Sequence, residues 1–154
     1  MKTLLIVLSI VLLSGCATDY QKDSYTGGFS STQLGENMYQ VSFRGNGFTS
    51  RRRAADFTLL RSAELTLDNG FRYFVIVGAE KSSNVATMTT PTTSFTTPTG
   101  YGGATTTTYG GRTFFVSKPN TTNTILCFKD KPKSGVVYNA KFVANALRQK
   151  YGLN

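Results

Sequence analysis

Residues 82–112 set the first limit on how this chain can fold. The stretch holds twelve Thr, five Gly and two Pro, and Arg112 is its one charged residue. No apolar period runs through it, so it buries too little surface to offset the entropy of ordering it. It is expected as a disordered loop or, given the β-propensity of threonine, as a protruding hairpin, with the loop favoured. Any core must then come from the flanking blocks, 29–81 and 113–154, which together suffice for one small domain.

The first block opens with two short runs, 29–33 and 38–44, joined by a turn at Leu34-Gly35-Glu36-Asn37. In the second run Tyr39, Val41 and Phe43 alternate with Gln40, Ser42 and Arg44, the pattern of a half-buried strand. Gly45-Asn46-Gly47 breaks the strand, Thr49 or Ser50 offers a helix N-cap, and Gly70 is a natural C′ residue. The helix between them carries an apolar stripe of Phe57, Leu60, Ala63 and Leu67, with Ala55 and Leu59 beside it. Residues 71–77 are β-branched and aromatic and predict a strand. Beyond the Thr-rich stretch, 113–118 and 124–129 read as two strands and Val136-Val137 as a short edge. A last helix over 140–151 has Asn139 as cap, Gly152 as stop, and Ala140, Val143, Leu147 and Tyr151 inward. Strands grouped with two helices, without βαβ alternation, give an α+β class. The expected architecture is a small antiparallel sheet with two helices packed on one face, plus the long Thr/Gly-rich insert.

The N-terminus carries an address. Lys2 supplies a charged n-region, Leu4 to Leu13 an apolar run broken only by Ser9, and Ser14-Gly15 the small residues of a cleavage site. The run is shorter than the roughly 20 residues that span a bilayer. Leu13-Ser14-Gly15-Cys16 resembles a bacterial lipobox, in which the signal is cut before the cysteine and the thiol carries a diacylglycerol. The resemblance implies a covalent diacylglycerol and an N-acyl chain on Cys16, enough acyl chains to hold stably in a membrane. By resemblance to lipoproteins sorted in Gram-negative cells, Ala17, a residue other than Asp after the cysteine, implies the periplasmic face of the outer membrane. The expected organisation is a signal peptide at 1–15, a polar tether at 16–28 and one domain at 29–154. Cys127 is then left without a pairing partner, and its apolar setting, Ile125-Leu126-Cys127-Phe128, makes it a small core residue.

Three further segments extend the likeness: Val41-Ser42-Phe43-Arg44-Gly45-Asn46-Gly47 with Thr49-Ser50, then Leu60-Arg61-Ser62-Ala63-Glu64-Leu65-Thr66-Leu67, then Gly70-Phe71-Arg72-Tyr73-Phe74. With the lipobox and the Thr/Gly-rich insert, this block resembles an uncharacterised family of small Gram-negative lipoproteins. The match covers about residues 38–80, and it implies location and fold but no catalytic residues.

Composition limits the chemistry. With no histidine among 154 residues there is no Ser-His or Cys-His couple, no His-containing zinc site and no imidazole shuttle, and two cysteines cannot form a Cys₄ site. No metal, no cofactor beyond the acyl chains and no enzyme activity are expected. Glu64 and Asp68, four apart on the first helix, have the spacing of a general acid and base or of a hard-cation site, and solubilising surface charge is the expected role. Gly45-Asn46-Gly47-Phe48-Thr49-Ser50 looks like a phosphate-cradling loop, but repeated βαβ units are missing, so a sharp turn is expected instead. The net charge of +9 points to anionic partners. Candidate binding residues are Arg51, Arg52 and Arg53 in the first helical turn, where the helix dipole opposes them, and Lys129, Lys131 and Lys133. If the lysines alternate on a strand, they also protect an exposed sheet edge.

The sequence therefore predicts an outer-membrane-anchored periplasmic lipoprotein acting as a structural or protein-interaction module of the envelope. The alternative is a binder of anionic lipid or polymer, such as lipopolysaccharide or peptidoglycan, through its basic patches; nucleic acid is not expected. Cys16→Ser should leave an unprocessed precursor without the acyl mass by intact-mass spectrometry, and normal processing of that variant would overturn the lipobox reading.

Overall fold

The computed structural model describes residues 17–100 and 102–153, so the expected signal peptide, the lipobox-like residues and Cys16 lie outside the described residues. The chain divides into two compact units, the smaller of which is Val85–Ser117. The elements in chain order are β1 (Gly28–Gln33), β2 (Met38–Arg44), α1 (Arg51–Asp68), β3 (Tyr73–Thr89), β4 (Thr93–Thr99), β5 (Gly103–Tyr109), β6 (Thr113–Phe128), β7 (Tyr138–Asn139) and α2 (Ala140–Tyr151). Five strands form a sheet of order β1-β2-β6-β3-β7, and β4 pairs with β5 separately. This mostly antiparallel sheet with two helices bears out the α+β class.

Alternation places the core. Tyr39, Val41 and Phe43 of β2 are buried, as are Thr121, Asn123, Ile125 and Cys127 of β6, with which β2 pairs antiparallel. Phe74 of β3 joins them, with Leu60 and Ala63 from α1 and Ala140 and Ala144 from α2. A second cluster gathers Phe43, Ala54 and Phe57, with Phe57 edge-on to Phe43 at 5.1 Å and to Tyr151 at 4.8 Å. Each fully buried phenylalanine contributes roughly 1.5–3 kcal/mol of transfer free energy.

Helix α1 has the expected length and caps but not the expected face. Ser50 is its N-cap, its hydroxyl accepting the Arg53 N–H at 3.1 Å, and Gly70 takes a positive φ of 77° after the last turn. Leu67, expected inside, is exposed, whereas Ala54, Thr58, Ser62 and Thr66 are buried. These residues recur every four positions and form a ridge of small side chains. Each hydroxyl donates to the carbonyl four residues back: Thr58 to Ala54 at 2.8 Å, Ser62 to Thr58 at 2.8 Å and Thr66 to Ser62 at 2.7 Å. The buried hydroxyls are therefore satisfied within the helix, and the ridge meets β6 through Thr58 at the Thr121 carbonyl and Thr66 at the Cys127 sulfur.

The short edge expected at Val136-Val137 falls instead on β7, Tyr138–Asn139, and two larger expectations change. Residues 17–28, read as a tether, are tied to the domain from Thr18 onward. The Thr18 N–H donates to Thr49 Oγ1 at 3.0 Å, and the Tyr20 ring lies 4.8 Å from Phe29 and 5.2 Å from Phe57. Gly27 and Gly28 belong to this packing: a Cβ at Gly27 would sit 2.2 Å from the Arg44 carbonyl oxygen, and φ there is 105°. Likewise, 113–118 and 124–129 are not two strands but parts of one, β6, which continues through Pro119. The ladder tolerates the proline because β2 ends opposite Asn120 and turns away, and the Pro119 carbonyl still accepts the Gly45 N–H at 2.8 Å.

Within Val85–Ser117 the chain forms strands, not the favoured loop. β4 and β5 pair antiparallel from Thr93↔Tyr109 to Thr99↔Gly103. Cross-strand hydroxyl pairs lie at 2.9 Å for Ser94–Thr108 and Thr96–Thr106, and the Phe95 and Tyr109 rings meet edge-on. The residues of β4 and β5 stay exposed. Burial was the wrong criterion for this segment, because β-branched side chains and cross-strand pairs order a ladder with no core beneath it.

Tyr20 supplies a test. Its hydroxyl donates to the Glu64 carboxylate, and burial, that hydrogen bond and the carboxylate charge together push its pKa upward against the opposing Arg61 and Arg148 charges. Because the folded-state value exceeds the unfolded one, the contribution is complete below the ordinary tyrosine pKa of about 10 and is lost as pH rises above it. Tyr20→Phe should flatten the fall in urea-unfolding stability between pH 9 and 11 by up to one proton's worth of slope; an unaltered slope would show that Tyr20 titrates as it does when unfolded.

Candidate functional site

The five-stranded sheet and the start of α1 together shape a cleft of about 240 Å³. Arg51, the first residue of α1, lines it with Lys81, Ser82 and Ser83 of β3 and Pro119, Asn120 and Thr121 of β6. The sheet order makes β3 and β6 neighbours, which brings Lys81–Ser83 beside Pro119–Thr121. Arg51 arrives because Gly45 to Ser50 turns the chain from the end of β2 into α1. That turn is held by Thr49 Oγ1, which accepts the N–H of Thr18 at 3.0 Å and of Asn46 at 3.2 Å. Asn46 Oδ1 accepts the Phe48 N–H at 3.0 Å and the Thr49 hydroxyl at 3.0 Å. These bonds serve the turn itself, in keeping with the sharp turn expected of this loop.

The cleft is electropositive throughout. No carboxylate lines it, and neither Arg51 nor Lys81 has an ion pair among the described residues. Glu80 precedes Lys81 on β3, but strand alternation sends successive side chains to opposite faces. A second cleft of about 240 Å³ holds Arg44 and Lys118, yet there Arg44 pairs with Asp23 at 3.1 Å. A third, with Lys22 and Arg61, includes Asp23 in its own wall. The Arg51 cleft thus joins two cations with no counter-charge.

The three arginines expected to act together are separated by the fold. Arg51 and Arg52 are exposed. Arg53 is structural: its guanidinium lies 4.8 Å from the Phe57 ring centroid and 5.4 Å from that of Tyr151, and 3.8 Å from Asp19. Lys129, Lys131 and Lys133 are exposed but lie beyond the end of β6, so they neither share a strand face nor guard an edge; β6 is interior to the sheet. That loop is held by Arg72, which donates to the Lys129 carbonyl at 2.6 Å and to Asp130 at 2.7 Å. At roughly 3.3 Å per residue along β6, Lys129 is about 26 Å from Thr121, so the lysines do not join the Arg51 cleft.

Nor do Glu64 and Asp68 make an acid–base pair. Glu64 is not a solubilising charge: it is buried, takes two bonds from Arg148 at 2.7 and 3.1 Å, and accepts from Tyr20. Asp68 is exposed and contacts Arg61 at 3.4 Å. Cys127 is free and buried, and burial raises its pKa, as suits a core thiol. Among the described residues no three His, Cys, Asp or Glu side chains group as metal ligands, and no helix is long and apolar enough to cross a membrane.

A scan against protein-family models and searches of curated proteins and of solved structures find no match. Sequence reasoning had named Arg51 but not Lys81, Ser82, Ser83 or Asn120, which meet it only through the pairing of β3 with β6. The division among the arginines is measurable: Arg53→Ala should cost about 1–2 kcal/mol in chemical denaturation through lost ring contacts, and Arg52→Ala no more than about 0.5 kcal/mol. Equal effects would contradict it.

Proposed function

We propose that this chain is a lipoprotein anchored through Cys16 at the periplasmic face of the outer membrane, where it acts as a structural or protein-interaction module. In this reading the fold is one α+β domain with both helices on a single sheet face, and the Thr/Gly-rich stretch is an insertion that makes the contact. The observation that carries it is the unit Val85–Ser117, whose Phe95, Tyr109 and Phe115 are 62%, 63% and 77% exposed. Aromatic side chains in water on an ordered strand scaffold suit protein contact: they bring large apolar area at little conformational cost. The segment's near-absence of charge fits the centre of an interface, from which charged residues are depleted.

A second reading, an anionic lipid or polymer as ligand, is favoured by the Arg51–Lys81 cleft. It no longer draws on Arg53, and Lys129, Lys131 and Lys133 would form a separate contact.

The first reading is tested by photo-crosslinking in cells from positions 95 and 115, with Gln40 on the sheet as control. One discrete protein adduct from both segment positions and none from Gln40 is expected. Diffuse or equal labelling from all three would remove the protein-contact role.

A further inference from the structure

We propose that the cleft lined by Arg51, Lys81, Ser82, Ser83 and Asn120 is a binding site for a phosphate group. This deepens the second reading above and rests on it.

The argument starts from the distribution of carboxylates. The chain has eight, and among the described residues Asp19, Asp23, Asp56, Glu64, Asp68 and Asp130 each hold an ion pair. Their partners are Arg44, Arg53, Arg61, Arg72, Arg148 and Lys150, so none neutralises Arg51 or Lys81. Two like charges facing one concavity repel, and the positive end of α1 beside Arg51 adds the same sign. Such an arrangement is unfavourable alone and becomes favourable when an anion enters, the more so because a concave wall excludes part of the screening water.

Donor chemistry selects the anion. A guanidinium offers two parallel N–H donors and an ammonium a point charge, the pair of groups that recurs around phosphate oxygens. The Ser83 hydroxyl, two residues from Lys81 and so on the same strand face, adds a neutral donor for a remaining oxygen, and Ser82 and Asn120 complete the lining. Size agrees: about 240 Å³ is below the range of drug-sized pockets and suits one phosphate group with its immediate substituent. The buried Pro119 and Thr121 give the site a fixed wall.

Phosphate can arrive free or on a lipid headgroup, and the experiment separates the two. The whole chain is titrated with inorganic phosphate at constant ionic strength while amide resonances are followed by NMR. Saturable shifts at Ser82, Ser83 and Asn120 are expected, with the dissociation constant raised at least tenfold in Arg51→Ser/Lys81→Ser and unchanged in Lys129→Ser/Lys131→Ser. Shifts that fail to saturate, or that persist in the cleft variant, overturn the proposal. Retention on phosphatidylglycerol vesicles, competed by free phosphate and lost in the cleft variant, assigns the phosphate to a headgroup; saturable phosphate binding without retention assigns it to a soluble ligand. Retention lost only when the three loop lysines are replaced, with no phosphate binding at the cleft, overturns the cleft and leaves the anionic-ligand reading standing. Absence of both kinds of binding removes both.

Discussion

A single buried carboxylate holds the N-terminal segment and the two helices together. Glu64 sits on α1, accepts from Arg148 of α2 and from Tyr20 ahead of β1, and lies 3.7 Å from Arg61 one turn earlier on its own helix. Taking a carboxylate out of water costs several kcal/mol, repaid only where its oxygens are well bonded, and here they are. Two segments far apart in sequence therefore depend on one side chain. Removing it would leave Arg148 and Arg61 without their shared partner and Tyr20 without its acceptor, while the reverse loss, of Arg148, would leave a buried charge poorly compensated. Asp56 plays a lesser version of this role about two turns earlier on α1, accepting from Lys150 at 2.6 Å and the Tyr151 hydroxyl at 2.7 Å. Both carboxylates bind the last turns of α2 to α1, so docking of the C-terminal helix is polar at its rim and apolar beneath, through Ala140, Val143, Ala144, Leu147 and the Tyr151 ring.

The same helix solves a second problem, how to approach the sheet closely. Leucines along the Ala54–Thr66 row would hold α1 away from β6; alanine, threonine and serine do not. The hydroxyls would be costly if unsatisfied in the interior, and each is satisfied by the carbonyl one turn back. This explains why the face of α1 was misread. A stripe defined by hydrophobicity passes through Leu67, whereas the face that packs is defined by small size and self-satisfied polarity. Helix α2, with Ala140, Val143, Leu147 and Tyr151 all at least half-buried, keeps the ordinary pattern, and there the sequence reading and the structure agree.

Strand alternation was the most legible signal, because a period of two moves whole sets of residues from core to solvent and tolerates no slip. Tyr39, Val41 and Phe43 follow it without exception. What escaped was whatever depends on distant partners. Residues 17–28 look like polar linker, and only the fit of Tyr20 between Phe29 and Phe57, with the close approach of Gly27 to Arg44, makes them part of the domain. Pro119 looks like a strand breaker until the end of β2 opposite Asn120 removes the demand for its missing donor. The Thr-rich stretch reads as too polar to order, since hydropathy does not count cross-strand hydroxyl pairs.

Charge was legible as a total and not as a pattern. The excess of cations could be read directly, but which of them are free follows from which carboxylates the fold consumes. Arg53 shows the point most plainly: beside Arg51 and Arg52 in sequence, it turns inward against Phe57, Tyr151 and Asp19, so a run of three like charges becomes one structural residue and two exposed ones. Lys129, Lys131 and Lys133, equally basic in sequence, sit on an exposed loop next to Asp130, which Arg72 holds. Lys81 stands beside Glu80, and along a linear chain the two charges cancel. On a strand they do not, since adjacent side chains leave by opposite faces. A positive cleft arises here because six carboxylates are committed to ion pairs elsewhere and Glu80 alternates away from Lys81, while β3 and β6 bring serines and an asparagine to the cation that begins α1.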